Sequence, residues 1–234
     1  YGDENYVPQT SSVTYRILFE NKKEATAPAY RIRISDVLDE NVFDVSSVHF
    51  EGTSHDADGY NWIMRQDGNT LSWDIEGIEL PPNVNAPEGE GYVAFSVNLL
   101  PGLEHLAEFK NKATIIFDYN TPIETNEYVN TLDLECPVAT MVSARLNGNE
   151  ITISCRGRDD GSGVSSYQYY AALGDDEFRF IDEVASNETT FTVPEGVNPM
   201  DYKFYALAVD NVGNVQEYAP DAIGVTAGVK GDVN

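Results

Sequence analysis

The chain has 234 residues, of which 41% are hydrophobic, and its 39 acidic and 14 basic residues give a formal net charge of -25. This composition supports one large or two ordinary folded domains and excludes a wholly disordered chain. The excess of carboxylates repels nucleic acids and anionic membranes, so we expect no nucleic-acid partner, whereas calcium is attracted.

Alternating apolar and polar residues predict strands throughout the first half of the chain. Period two with one apolar face is typical of a half-buried strand. Asp67-Gly68 lies between two such segments and predicts a hairpin. The apolar positions of these strands are Val13, Tyr15, Ile17 and Phe19; Tyr30, Ile32 and Ile34; Leu71, Trp73 and Ile75; Val93, Phe95 and Val97; Ala113, Ile115 and Phe117.

A second set of strands begins after a boundary that we place between Thr131 and Pro137. Around seven strands in about 90 residues is the density of a β-sandwich. No apolar run is long enough to span a bilayer, so membrane insertion is not expected. The predicted strands are Ala139–Val142, Ile151–Cys155, Val164–Ala171, Phe178–Ile181, Thr189–Val193 and Tyr202–Val209.

The two cysteines are predicted not to be joined. Asn147-Gly148 predicts a hairpin whose register sets Cys155 opposite a residue near position 141. Cys136 then lies about five residues further, or roughly 16 Å along the strand, which is too far for a disulfide unless the first strand peels away. Cys155 also continues the apolar face of its strand, which predicts a core residue.

These patterns predict an all-β fold of two consecutive antiparallel β-sandwich domains, similar to immunoglobulin or fibronectin modules. The predicted domains are residues 1–135 and 136–221. The Gly-rich segment 222–234 is expected to be a linker.

Two segments carry a resemblance in the second half. The stretch DDGSGV at 159–164 and the stretch YKFYALAVDNVGN at 202–214 resemble the fibronectin type III and bacterial immunoglobulin-like family. The resemblance covers most of residues 137–220 and implies an extracellular bacterial module. The family often has a core Trp on the second strand, where this chain has Cys155.

The first half and the end of the chain carry further resemblances. YRILFEN at 15–21 and NKATIIFDYNTPIETN at 111–126 resemble a conserved β-sandwich repeat of large secreted bacterial proteins. VKGDVN at 229–234 resembles the opening of a dockerin, whose first calcium loop would begin at Asp232 and Asn234. These resemblances imply the C-terminal fragment of a secreted dockerin-bearing bacterial protein, cut at the start of the dockerin.

Calcium is the candidate cofactor of the acidic loops. In a fibronectin-like sandwich, the loops after the second and sixth strands emerge at one end, and hard cations prefer carboxylate and amide oxygens. We favour the simpler interpretation that Asp and Asn only cap their own turns, without any ion. The predicted ligands are Asp159, Asp160, Asp210, Asn211 and Asn214, with Asp36, Asp39 and Asp44 as a weaker set and a further acidic segment at 55–59.

No recognised catalytic motif accompanies the three histidines or the two cysteines, so the chain is predicted not to be an enzyme. The leading hypothesis is a structural spacer in a secreted or cell-surface protein, with neighbouring domains as its partners. The alternative is an adhesion module that binds polysaccharide or a surface protein, for which exposed rings of Tyr60, Trp62, Tyr169 or Tyr170 would be needed. A hydrolase accessory domain with a catalytic role is the least favoured.

Overall fold

The computed structural model describes residues 2, 5–8, 12–54 and 60–227. The chain divides into two compact units, one spanning Gln9–Leu132 and the other combining Tyr1–Pro8 with Asp133–Asn234. Strands dominate both units, and Pro199–Asp201 forms a short 3-10 turn. No helix in the described part of the chain is long and apolar enough to cross a membrane.

The strands of the first half pair in antiparallel sheets. Thr70–Leu80 and Ala29–Val37 are central strands of a five-stranded sheet, and Glu90–Leu99 is the middle of a three-stranded sheet. The described strands are β1 (Tyr6–Pro8), β2 (Ser12–Glu20), β3 (Ala29–Val37), β4 (Phe43–Thr53), β5 (Asn61–Asp67), β6 (Thr70–Leu80), β7 (Glu90–Leu99), β8 (Glu108–Asn111), β9 (Ala113–Phe117), β10 (Ile123–Glu124) and β11 (Tyr128–Asp133). The five-stranded order is β10-β9-β3-β6-β5, the three-stranded order is β2-β7-β4, and β8 pairs with β11.

The two larger sheets of this unit face each other across an aromatic core. The ring centroid of Trp73 on β6 lies 5.8 Å from that of Phe95 on β7. Most of the predicted inward residues are buried, but Phe117 is only half-buried and Tyr30 is 54% exposed. The register of β3 against β6 shifts between Ala29 and Arg31, and Ala29 is buried in its place.

The second unit is also a sandwich of antiparallel strands. Its two sheets have the orders β16-β13-β12-β19 and β15-β14-β17-β18, and β19 alone pairs parallel, against β12. The described strands are β12 (Val138–Asn147), β13 (Glu150–Arg158), β14 (Val164–Leu173), β15 (Arg179–Val184), β16 (Glu188–Thr192), β17 (Tyr202–Asp210), β18 (Ile223–Gly224) and β19 (Thr226–Ala227). One core is shared by both sheets, with Ile153 and Cys155 from the first and Tyr169 and Phe204 from the second.

The predicted register around Cys155 is confirmed. Met141 on β12 is the partner of Cys155 on β13, and Gly148 at the hairpin turn has a φ of 67°. Both cysteines are free, and the Sγ atom of Cys155 lies 3.3 Å from the hydroxyl of Tyr169 inside the core. Burial raises the pKa of both thiols, with nearby carboxylates adding to the effect at Cys136. A nucleophilic cysteine needs the opposite shift.

Candidate metal centre

Three carboxylates converge in the second unit. Asp133 ends β11, Asp159 lies in the loop between β13 and β14, and Asp210 ends β17. One ligand oxygen of each lies within 4.8 Å of the others. Asp133 and Asp210 are only 0% and 2% exposed, so this acidic cluster lies largely beneath the surface.

Asp210 organises the loop that follows β17. Its Oδ1 atom accepts hydrogen bonds from the backbone N–H groups of Val212, Gly213 and Asn214 at 2.9, 2.7 and 2.8 Å. Its Oδ2 atom accepts one from the side-chain amide of Asn214 at 2.7 Å. Aspartates commonly hold turns in this way, and here the result is a carboxylate fixed in one orientation.

Asp159 organises the loop between β13 and β14. Its Oδ2 atom accepts hydrogen bonds from the N–H groups of Gly161 and Gly163 at 3.1 and 2.7 Å. The N–H group of Ser162 donates to Oδ2 of Asp133 at 2.6 Å, which brings the same loop to the third carboxylate. Gly161 is required here because a Cβ atom at this position would collide with the Asp133 carboxylate.

The cluster holds three negatively charged carboxylates close together. Burial raises the pKa of Asp159, the negative charges of Asp133 and Asp210 raise it further, and the backbone hydrogen bonds from Gly163 and Gly161 oppose the shift. The Oδ1 atom of Asp159 and the hydroxyl of Ser162 are buried without a hydrogen-bond partner. A cation among these oxygens would relieve both the repulsion and the missing contacts.

The donor set suits a hard cation. The three carboxylates of the cluster offer only oxygen ligands, and calcium takes six to eight oxygens with flexible geometry. Zinc prefers nitrogen and sulfur donors, which the cluster lacks among the described residues.

Not every predicted ligand lies in this cluster. Asp160 is exposed and its carboxylate binds the guanidinium of Arg158 at 3.0 Å. Asn211 donates its amide hydrogens to the carbonyls of Ser162 and Gly163 at 2.9 and 2.8 Å, which ties the two loops together.

Asn214 is an amide donor to the cluster. Besides its bond to Asp210, its amide nitrogen lies 3.3 Å from the carbonyl oxygens of Asp133 and Glu135. Asp133 was missed by sequence reasoning, which assigned this segment to the boundary between domains. The available sequence signal was a carboxylate flanked by Leu132 and Leu134.

The weaker set in the first half is not brought together. Asp36 is buried and its Oδ2 atom accepts a hydrogen bond from the Asn111 amide at 2.8 Å. Asp39 and Asp44 each hold a local turn through a backbone N–H two residues ahead, at 2.9 and 3.0 Å. The acidic segment at 55–59 and the dockerin-like end at 229–234 lie outside the described residues.

Four aromatic rings form a row on the outer face of the β15-β14-β17-β18 sheet. Tyr170 and Tyr205 stack across β14 and β17 with centroids 4.8 Å apart and an interplanar angle of 16°. Phe178 contacts Tyr205 and Phe180 contacts Tyr170, and these outer rings are 37% and 56% exposed. Tyr169, in contrast, is fully buried.

A family model described as "Domain of unknown function (DUF7619)" matches residues 1–131. No curated protein matches the chain. Similar solved structures include one named BspA_C_WT, with 10% identity, a TM-score of 0.42 and 94% of both chains covered.

Two further similar structures come from bacterial surface proteins. The BcpA major pilin subunit of Bacillus cereus has 11% identity and a TM-score of 0.37, with 97% of this chain and 66% of that one covered. A Ca2+-stabilised adhesin of an Antarctic bacterium that binds ice has 11% identity and a TM-score of 0.36, with 97% and 47% covered. The chain thus spans less than two thirds of either protein, and likenesses at this level carry no functional argument.

Proposed function

Because the chain belongs to the DUF7619 family, a domain of unknown function, we propose a function from its own residues. The chain is a non-catalytic structural module pair of a secreted or cell-surface bacterial protein. A calcium ion bound at Asp133, Asp159 and Asp210 stabilises the loops of the second sandwich. Its partners are the neighbouring domains of the parent protein.

The observation that carries this proposal is the convergence of three carboxylates from three separate chain segments. Repulsion between them costs stability unless a cation is bound. Most polar groups around them hold backbone turns, as the three hydrogen bonds to Oδ1 of Asp210 illustrate. This arrangement supports a site that stabilises loops.

Calcium is expected to raise the melting temperature of the second unit. If the dissociation constant is in the range of about 0.1–1 mM that is common in extracellular modules, 5 mM calcium stabilises the unit by about 1–2 kcal/mol. For a unit of this size the shift is about 5–10 °C. Differential scanning calorimetry in 5 mM CaCl2 and in NaCl of matched ionic strength measures it.

Asp159→Asn and Asp160→Asn form a matched pair for this experiment. Both remove one negative charge from the same loop, but only Asp159 lies in the cluster. The calcium-specific shift should vanish in Asp159→Asn and persist in Asp160→Asn. Equal shifts of the melting temperature in CaCl2 and in NaCl would mean that the salts only screen like charges. The calcium site would then be rejected.

The row of four rings favours adhesion as a second candidate function. A partly exposed aromatic face on one sheet is unusual for a surface with nothing to bind. Beside Tyr170, Gln168 and Ser166 donate hydrogen bonds to Glu183 at 3.1 and 2.7 Å, which adds planar polar groups to the apolar rings. A neutral polysaccharide suits this mixture, since the net charge of the chain repels anionic glycans.

Affinity electrophoresis in gels containing laminarin, xylan or hydroxyethylcellulose tests this second candidate. At least one of these neutral polysaccharides should retard the protein, and Phe180→Ser should remove the retardation with little loss of stability, because its ring is 56% exposed. Tyr218→Ser serves as the control, since Tyr218 is 80% exposed and lies outside the row. Unchanged mobility of the wild type in all three gels would argue against the binding role.

A further inference from the structure

Strand β2 is a sheet edge that lacks the usual protection against pairing with another strand. It is the first strand of the order β2-β7-β4, and its nine residues pair with β7 without a register shift. β4, at the opposite edge, has two register shifts against β7 and contains Gly52. Proteins commonly protect an edge with a bulge, a Pro or a short strand, because its backbone groups can bond to another chain. β2 is long and regular and contains no Pro.

Alternate residues of β2 direct their backbone groups away from the sheet. The N–H group of Asn21 donates to the carbonyl of Gly89 at 2.9 Å, in continuation of the β2–β7 register. Hydrogen-bonded pairs recur at every second residue of an antiparallel ladder, so the odd-numbered residues of β2 bond to β7. Tyr92, the partner of Leu18, instead accepts a hydrogen bond from Ser54 at 3.1 Å, on the β4 side. The even-numbered residues of β2 therefore present their N–H and C=O groups to the free edge.

Space is open beside this edge. Residues 14–18 of β2 line a cavity of about 380 Å³, and residues 18–20 line a second cavity of about 320 Å³ towards the end of the strand. Leu18, where the two cavities meet, has a side chain that is 66% exposed. An apolar residue at the centre of an open edge favours a partner strand that covers it.

The outer face of β2 carries one charge on each side of Leu18. The guanidinium of Arg16 lies over the ring of Tyr92, 4.4 Å from its centroid, and forms no ion pair with another described residue. Glu20 lies two positions after Leu18, on the same face of the strand.

Glu20 lies next to a like charge. Its partner on β7 is Glu90, and both carboxylates accept a hydrogen bond from the side-chain amide of Asn83, each at 2.9 Å. Like charges that are directly opposite on neighbouring strands destabilise a sheet. A cation brought to the free side of Glu20 would reduce this repulsion.

We propose that two copies of the chain associate by antiparallel pairing of their β2 strands, about a two-fold axis at Leu18. Leu18 then opposes Leu18 of the second copy, and Arg16 of each copy opposes Glu20 of the other. Shifting the pairing by two residues in either direction sets Arg16 opposite Leu18 or Lys22, so neither shift gives this match of opposite charges. A two-fold interface is self-complementary, and the two three-stranded sheets become one sheet of six strands.

Sedimentation of the full chain between about 10 µM and about 0.5 mM tests the proposal. Salt at about 0.15 M screens the repulsion between the two acidic chains beyond about 8 Å. The wild-type mass should rise from that of a monomer towards that of a dimer. Arg16→Glu and Glu20→Arg each set like charges opposite one another, so each should weaken association at least tenfold.

An equimolar mixture of these two variants supplies the matched control. One variant carries acidic side chains at both positions and the other basic ones, so opposite charges face each other again and a mixed dimer should form. Lys23→Glu changes the charge of an exposed side chain outside β2 by the same amount as Arg16→Glu and should associate as the wild type does. A wild type that stays monomeric, single variants that associate like it, or a loss in Lys23→Glu would each overturn the proposal.

Cross-linking tests the register. In a Cys136→Ser background, Leu18→Cys should form a disulfide-linked dimer on mild oxidation, because directly opposite residues have Cα atoms about 5.5 Å apart. Thr14→Cys should form this dimer at least tenfold more slowly, since the two Thr14 positions lie eight residues apart along the paired strands, or about 26 Å. Equal rates of cross-linking at the two positions would overturn the pairing about Leu18.

Discussion

Trp73→Ala is expected to destabilise the Gln9–Leu132 unit by about 3–5 kcal/mol while leaving the melting transition of the second unit unchanged. Trp73 is 1% exposed and its ring contacts Phe50 at 5.6 Å and Phe95 at 5.8 Å. Removing it leaves a large cavity between the sheets, which surrounding side chains refill only in part. Calorimetry of the variant should show one transition shifted down and one in place.

The matched controls come from each unit. Tyr119→Ala removes an aromatic ring that is 96% exposed, so both transitions should stay within error of the wild type. Phe204→Ala removes a fully buried ring of the other core and should shift only the other transition. A single transition that moves as a whole in both core variants would contradict two independently folding units.

Asp36→Asn is expected to stabilise the same unit at pH 7.5 by about 1–3 kcal/mol and to give no gain at pH 4. The folded-state pKa of about 6 exceeds the ordinary value of 3.8. Between these values the folded chain holds a proton that the unfolded chain has released, so stability falls as pH rises from about 4 to about 6. A pKa difference of about two corresponds to about 3 kcal/mol of folding free energy. The amide introduced by the substitution lacks an acceptor, which offsets part of the gain in stability.

Urea denaturation between pH 4 and pH 8 measures this effect as the difference between variant and wild type. The difference should grow through pH 5–6 and then level off. Glu108→Gln, which neutralises an exposed carboxylate of the same unit, should give a flat difference curve. A flat curve for Asp36→Asn would mean that the carboxylate is solvated in the folded chain.

Strand pattern was predictable from the sequence because it depends on local alternation. Val13, Tyr15, Ile17 and Phe19 are all buried, as period two requires. The register that places Met141 opposite Cys155 followed from one Asn-Gly turn. The prediction that Tyr30 faces the core was wrong because a register shift beside it inverts the alternation of inward and outward side chains. Such shifts leave no clear mark in the sequence.

The candidate metal centre was predictable only in part. Sandwich topology correctly placed the loops of Asp159 and Asp210 together, because loops after the second and sixth strands emerge at one end. Which of two neighbouring carboxylates joins the cluster depends on the direction of its side chain, which the sequence does not reveal. Asp160 was therefore included among the predicted ligands, although its carboxylate binds Arg158. Asp133 lies 26 positions before Asp159 in the sequence, and only the fold brings it near.

The parallel pairing of β19 with β12 has a mechanical consequence. Arg145 and Leu146 are partners of Thr226 and Ala227, and the Thr226 hydroxyl also donates to the carbonyl of Ala144 at 3.2 Å. Among the described residues, these are the first and last strands of the two sheets of the second sandwich, and they run in the same direction. Tension applied between the start of β12 and the end of β19 therefore pulls the pair apart in shear, so its hydrogen bonds share the load and must break together, whereas an antiparallel terminal pair would be unzipped one bond at a time.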